Sequence, residues 1–379
     1  GAVNRRRRRG GSDAAGTWQL LAQVNEARLS DIRSGPELLG YNGGMSIDQR
    51  GAATGIAMAN NAFYVDRWGS RVVGSSGAAT IFRSTTVPAA AGFAHSLHVD
   101  VTTADAAVAA GGGIALYQFL GGQALQHRLY GTASARALAL SFWVRGTITG
   151  THCVALYQPD AGRSYVAEYT IGAVDTWEYK TIIVPGDAAG QIDADNGGGL
   201  ALLFTLMAGS SDQGVAGLWQ SGLKTATAGQ VNQFSDTANN WYLTGVQLEA
   251  GGVASAFVHR GIAAELARCQ RYFAKTFDQG VKPAQNTGSS AGALQTQGNA
   301  NGRVLMDWRF PVEMRATPTL TVFNPFAANA LARNIDDSTD LSVGAEGPGA
   351  ASIHVMGTRA GHANDRMIAP ATASAELTL

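Results

Sequence analysis

The stretch ALALSFWVRG, residues 137–146, alternates: Leu138, Leu140, Phe142 and Val144 fall on one side of an extended chain, and Ala139, Ser141, Trp143 and Arg145 on the other. A period of two with one apolar side is the pattern of a β-strand that lays one face on a core. The same pattern continues outward. HCVALYQ (152–158), WEYKTIIVPG (177–186), LALLFTLMAG (200–209) and WYLTGVQLEAG (241–251) are short and rich in β-branched or aromatic residues, with Gly, Asp, Asn or Pro clusters between them. Many short strands with few helical stretches predict an all-β chain and an antiparallel sandwich, a jelly roll over residues 41–258, rather than a βαβ sheet.

Past Phe257 the period becomes helical. In HRGIAAELARCQRYF (259–273), Ile262, Leu266, Cys269 and Tyr272 or Phe273 share one side, while Glu265, Arg268 and Arg271 fall elsewhere. This predicts a short connecting helix within residues 259–277, buried on its apolar side. Residues 278–302 read as loops. RVLMDWRFPVEMRATPTLTVFNP (303–325), ASIHVMG (351–357) and SAELTL (374–379) then restore the period of two, which predicts a second, small β-domain over residues 278–379.

Residues 1–40 differ from the rest. Arg5, Arg6, Arg7, Arg8 and Arg9 form an unbroken basic run, followed by Trp18, Leu21, Val24, Arg28 and Ile32 at roughly helical spacing, with Thr17 placed to cap and Gly35-Pro36 placed to stop. A short amphipathic helix cannot bury its stripe alone, so a helical or extended attachment arm is expected to dock on its own body, a sister subunit or a larger particle. The arginines read either as a solvated tail or as a docking arm for an acidic groove. No aromatic residues interleave with them as single-stranded nucleic acid would require.

Composition narrows the function classes. The chain has 379 residues, 48 of them glycine, with 15% charged residues and a formal net charge of zero, so no general electrostatic case exists for nucleic acid. No apolar run approaches the roughly 20 residues that span a bilayer, so a soluble chain without membrane insertion is expected. The basic start lacks a following apolar segment, which argues against ordinary secretory export. Cys153 and Cys269 are too few for a disulfide framework and read as buried thiols. No repeat of 20–50 residues supports a solenoid or propeller.

Catalysis and metal binding find little footing. Asp187, Asp193 and Asp195 lie together in GDAAGQIDADNGGG, where a glycan-cleaving carboxylate pair competes with ordinary turn chemistry. An EF-hand register from Asp193 fails at its fifth and twelfth positions, which leaves an irregular calcium site as the alternative. His95 and His98 in FAHSLHVDV diverge if the segment is a strand, so no zinc pair forms. There is no GxSxG elbow and no P-loop lysine, and no cofactor is expected. In YVDRWGS, Asp66 and Arg67 read as a local ion pair beside a core Trp68; in VQLEAGG, Gln247 and Glu249 read as architecture opposite the core residues Val246 and Leu248.

The motifs YNGGMSIDQRGAATG (41–55), YVDRWGS (64–70), LSFWVRG (140–146), VPGD (184–187), LWQSG (218–222), TGVQLEAG (244–251), HRGIAAELARCQRYF (259–273) and FPVEMRATPTLTV (310–322) occur in that order. Together they resemble bacteriophage tail-fibre and spike proteins that carry a carbohydrate-binding-like jelly roll followed by a small distal β-domain. The resemblance covers residues 41–379. It implies a virion appendage, usually a homotrimer, whose partners are other virion proteins and a bacterial surface polysaccharide, and whose role is host adsorption rather than catalysis. A capsid or tail decoration that binds no sugar and a polysaccharide-degrading spike are the rival readings.

Sugar recognition asks for flat aromatic faces with a few polar side chains beside them. Trp143, on the strand face opposite the core and two residues from Arg145, is the first candidate. Tyr157, expected on a neighbouring strand, and Trp177 and Trp219, beside turns, follow; each competes with a role in core or interface. Arg145, Arg163 and Lys180 would pair with an acidic glycan.

Overall fold

Alternation along the chain becomes two facing sheets in the computed structural model, which describes residues 37–358 and 364–379. The arginine run Arg5 to Arg9, the helix expected around Trp18 and Leu21, and His362 lie outside the described residues. Residues 39–379 form one compact, all-β unit.

The first twelve strands among the described residues are β1 (Ile56–Ala57), β2 (Gly69–Val73), β3 (Ala78–Ser84), β4 (Ser96–Thr103), β5 (Gly113–Gly121), β6 (Leu138–Gly146), β7 (Gly150–Gln158), β8 (Arg163–Ile171), β9 (Glu178–Val184), β10 (Gly198–Ala208), β11 (Trp219–Ser221) and β12 (Asn240–Ala250). They build two six-stranded sheets in the orders β1-β3-β4-β12-β6-β9 and β11-β8-β7-β10-β5-β2, a jelly-roll sandwich. Its core is the apolar half of each alternation. Ile81, Leu97, Val99, Leu140, Phe142, Val144, Trp241 and Leu243 from the first sheet meet Leu116, Val154, Leu156, Leu202, Phe204 and Leu206 from the second.

The two outer faces differ. On the second sheet, Ala115, Tyr117, Phe119, Cys153, Ala155, Ala201 and Leu203 form another buried cluster, against which Leu377 and Leu379 pack. Strand β10 is therefore covered on both sides, which is why it reads as an almost unbroken apolar run. Among the described residues the outer face of the first sheet has no such apolar cluster: Ala139, Ser141, Thr244, Gln247 and Glu249 are buried there, while His98, Tyr242, Trp143 and Arg145 stay partly exposed.

Strand β12 bends in the middle. Its register against β6 shifts between Thr244 and Gln247, and Gly245 has φ +61. A Cβ there would lie 2.6 Å from the Phe93 ring and 3.1 Å from Trp143, so the bulge needs glycine for its conformation and for space. Beyond the bulge, Gln247 and Glu249 are buried and hold the returning chain: Val258 N–H donates to Gln247 Oε1 at 2.8 Å and Ser255 N–H to Glu249 Oε1 at 2.6 Å. They are architectural, as read from the sequence.

The expected helix is α1 (Ile262–Gln270), and Cys269 on it and Tyr272 and Phe273 after it are buried as expected, but its first turn departs from that pattern. Ile262 is 62% exposed, while Glu265 and Cys269 are buried. The reason is polar: Glu265 accepts the Asn42 N–H at 2.5 Å and faces Arg260 and Arg268 at 3.4 and 3.6 Å. The helix therefore seats on a charged seam as well as on the apolar contact made through Cys269.

Asp66 and Arg67 do not pair with each other. Arg67 has φ +70, which sends the two consecutive side chains apart. Asp66 accepts from Gln49 N–H and Nε2 at 2.6 and 2.7 Å, with Arg50 3.4 Å away. Arg67 instead meets Glu376, which Arg50 also reaches at 2.9 Å. The Arg67 guanidinium also lies 3.4 Å from the centroid of the Tyr272 ring. Trp68 is fully buried in the sandwich core.

The remaining strands are β13 (Phe273–Lys275), β14 (Leu294–Gln297), β15 (Arg303–Arg309), β16 (Thr319–Val322), β17 (Ala332–Asn334), β18 (Asp340–Leu341), β19 (Gly344–Glu346), β20 (Ser352–Thr358), β21 (Arg366–Ala369) and β22 (Ala371–Ser374). They form three small sheets, β13-β22-β16, β14-β21-β17-β18 and β15-β20-β19. Val304, Met306 and Trp308 of β15 face their cores, with Ile353 and Val355 opposite.

Candidate functional site

The open face of the first sheet carries a cross-strand row of rings. Phe82 on β3 is the register partner of His98 on β4, His98 of Tyr242 on β12, and Tyr242 of Arg145 on β6. All four belong to the outward half of the alternation and are partly exposed. The rings contact one another. His98 and Tyr242 are stacked with centroids 4.1 Å apart, Phe82 and His98 lie at 5.5 Å, and the Arg145 guanidinium lies 5.2 Å from the Tyr242 ring. Trp177, just before β9, meets Tyr242 edge-on at 6.1 Å. With about 4.8 Å between strands, a row across five of them is about 19 Å long.

A second, shorter row runs beside it. Trp143 on β6 is the register partner of Tyr179 on β9, their rings 5.4 Å apart, and Tyr179 is 42% exposed. Phe93 and Trp143 flank the Gly245 bulge, and Phe93 packs on Phe257 at 4.9 Å and on His259 at 5.3 Å. That cluster closes one end of the face.

Polar groups are fixed at defined points along the rings. Arg145 donates to Asp175 Oδ1 from Nε at 3.2 Å and from a terminal nitrogen at 2.9 Å. Asp175 sits at φ +55 in the turn that precedes Trp177. Glu178 secures that turn by accepting the N–H groups of Gly172 and Ala173 at 2.7 and 3.0 Å. Asn240 donates to Ala238 O, so its Oδ1 faces His98 Nε2 at 2.6 Å and the imidazole carries its hydrogen on Nε2. Burial, with the Arg145 charge adding to it, lowers the His98 pKa below the usual imidazole value despite Asn240 and Asp100, so His98 is neutral at pH 7. The face thus presents flat neutral rings with one arginine–aspartate pair among them.

The sequence-level candidates divide between the sheets. Trp143, Arg145 and Trp177 come together on the open face. Tyr157 lies on β7 of the other sheet, partly buried against the cluster that the C-terminal residues cover. Trp219 packs on the sandwich core from β11, its Nε1 donating to Pro185 O at 2.7 Å and its ring beside Tyr130 and Tyr165. Of the cations named with them, Arg163 is tied to Asp187 at 2.6 Å, and Lys180 pairs with Glu178 on the other side of β9 from Tyr179. Phe82, His98, Tyr242 and Tyr179 were not among the sequence candidates. The signal that finds them is parity: each alternates with a core residue on a strand of the same sheet as Trp143.

The aspartates of the 187–195 loop do not act together. Burial alone would push the Asp187 carboxyl up, but Arg163 together with the backbone N–H groups of Ala189 and Gly190 outweighs it and holds the group below the usual carboxylate range. Asp160 accepts the Asp193 N–H at 3.0 Å, tying two loops together, and Asp195 accepts the Gly197 N–H at 2.7 Å within its own turn. Among the described residues, no group of three or more His, Cys, Asp or Glu side chains is arranged to hold a metal ion.

No family model and no curated protein matches the chain. Solved structures to which it is similar include the enzymatically active domain of bacteriophage CBA120 tailspike protein 4, at 12% identity over 48% of this chain and 19% of that one, with a TM-score of 0.27. The chain thus spans about a fifth of that tailspike domain. Others are the xylan-binding domain from CBM 22, at 14% identity over 53% of this chain and 94% of that one with a TM-score of 0.28, and the family 11 carbohydrate-binding module of the cellulosomal cellulase Lic26A-Cel5E of Clostridium thermocellum, at 14% identity over 54% and 96% with a TM-score of 0.27.

Proposed function

We propose that the open face of the first sheet binds a polysaccharide, and that the chain is a virion fibre or spike that adsorbs a phage or phage-like particle to a bacterial surface glycan. One observation carries the reading. The sandwich seals the outer face of one sheet with its own C-terminal residues, yet leaves Phe82, His98, Tyr242, Trp143, Trp177 and Tyr179 partly exposed on the other. Half-exposed rings in line are costly to leave wet and fit the C–H faces of pyranose rings, with Arg145, Asp175 and Asn240 placed to meet hydroxyls. Because the face is shallow, a single site binds weakly, and a homotrimer would supply avidity.

In this reading residues 41–258 form the glycan-binding domain, residues 259–277 connect it to the distal domain of residues 278–379, and residues 1–40 dock on the particle through Arg5 to Arg9, Trp18 and Leu21. The test is binding of the 379-residue protein, wild type, Trp143→Ala and Tyr242→Ala, to an array of bacterial capsular and lipopolysaccharide glycans. Saturable binding that both substitutions weaken supports the reading. Absence of binding by a folded multimer points to a structural decoration, and release of oligosaccharides points to a degrading spike.

A further inference from the structure

A cleft of about 400 Å³ lies where the sandwich loop 46–54, helix α1 and the loop 279–282 meet. Its walls are chemically divided. Ile47, Ile262 and Leu266 make an apolar side, Ser46, Thr54 and Gln279 supply neutral polar groups, and Asp48, Arg83 and Lys282 supply the charges.

The charges do not cancel. Asp48 spends its oxygens on the turn beside it, accepting the N–H groups of Gly51, Ala52 and Ala53 at 2.8, 2.9 and 3.2 Å. It meets Arg83 Nε at 3.5 Å, beyond good hydrogen-bond length, and that Nε is buried without a hydrogen-bond acceptor. The guanidinium's other contact is long as well, 3.3 Å to Ser46 O. Lys282 makes no ion pair among the described residues, and its stem lies over Gly51, where φ +79 and the absence of a Cβ leave room for it. The rim that carries Lys282 is itself pinned, since the buried Lys275 ammonium donates to Gln279 O and Val281 O at 3.0 and 2.7 Å.

An under-coordinated guanidinium and a free ammonium in one cleft, facing an apolar wall and opposed by a carboxylate already in use, form a receptor for a small amphipathic anion. We propose that this cleft is a second ligand site, separate from the aromatic face, that takes a carboxylate-bearing sugar unit, with the carboxylate on Arg83 and Lys282 and the ring's C–H face on Ile262 and Leu266. Arg83 follows Phe82 on β3 and points to the opposite side of the sheet, so the two sites have separate side chains.

The test is titration of the 379-residue protein with sodium glucuronate and, in parallel, with glucose, read by calorimetry and by NMR shifts of the α1 amides. Glucuronate is expected to bind saturably in the millimolar range and glucose not to bind. Arg83→Gln should weaken the glucuronate affinity at least tenfold, Lys282→Gln severalfold, and Trp143→Ala not at all. Lys282 is exposed, so its variant keeps the test valid if Arg83→Gln is unstable. Equal binding of the two sugars, glucuronate affinity unchanged by the Arg83 and Lys282 substitutions, or no binding by the wild type would each overturn the proposal.

Discussion

The imidazole of His98 lies flat on the phenol of Tyr242, with centroids 4.1 Å apart and planes 4° apart. The two residues are register partners on adjacent strands, so the stack is set by strand pairing rather than by a loop. Each ring shields one side of the other, and a third ring, Phe82, continues the line.

Removing Tyr242 therefore has two separable effects. Tyr242→Ala should weaken glycan binding about five- to tenfold, the equivalent of about 1 kcal/mol of ring contact. It should also raise the His98 pKa back toward the unperturbed value, because burial is the leading cause of its depression. NMR titration of the ring protons reads the second effect without any ligand. An unmoved pKa would mean that Tyr242 is not what buries His98.

Gly245→Ala should cost about 1–3 kcal/mol, from the left-handed backbone and from displacement of Phe93. Chemical denaturation measures the loss, and glycan affinity should fall with it, since Trp143 borders the same bulge. A variant as stable as the wild type would show that the bulge relaxes freely.

His152 gives the unit an acid limit. It is fully buried, stacked on Tyr169 at 5.6 Å with Nε2 3.2 Å from Ile148 O, and burial takes its pKa down to about 4. The folded value lies below the unfolded one, so the unfolded chain binds the extra proton between them. This contribution is complete above about pH 6.5 and falls by about 3 kcal/mol as pH drops to 4. His152→Gln should flatten the stability profile across that window by about one proton. An unchanged slope in denaturation series at pH 6.5, 5.5 and 4.5 would rule His152 out as its source.

Glu376 neutralises two arginines in the seam, and Arg67 has almost no solvent of its own. Glu376→Ala should destabilise the unit by about 3–5 kcal/mol, the usual cost of stranding a buried charge. The double variant Glu376→Leu with Arg67→Met should recover much of that loss. A cost below about 1 kcal/mol for the single variant would show that water reaches the arginines.

The sandwich was legible because period two survives in strands such as β4 and β6 regardless of their partners. Which sheet a strand joins was not, because that depends on pairing between distant segments. Tyr157 and Trp143 both sit on strands in the sequence, yet one lies beside the cluster that Leu377 and Leu379 also pack on and the other on the opposite sheet. His98 read as an ordinary polar residue for the same reason: its value to the face comes from Phe82 and Tyr242, which β3 and β12 bring beside it. Helix α1 buries Cys269 and is followed by buried Tyr272 and Phe273 as expected, but it also buries Glu265, because Glu265 answers to Asn42, a partner that helical spacing does not reveal.

The contact between Arg67 and Glu376 joins residues 309 positions apart. During synthesis the sandwich strands emerge long before their counter-charge does, and the second sheet waits uncovered for Leu377 and Leu379. Assembly of this unit therefore waits for the segment around residue 376: a nascent chain halted short of it exposes an apolar sheet and an unpaired arginine, the marks by which chaperones and proteases sort unfinished protein.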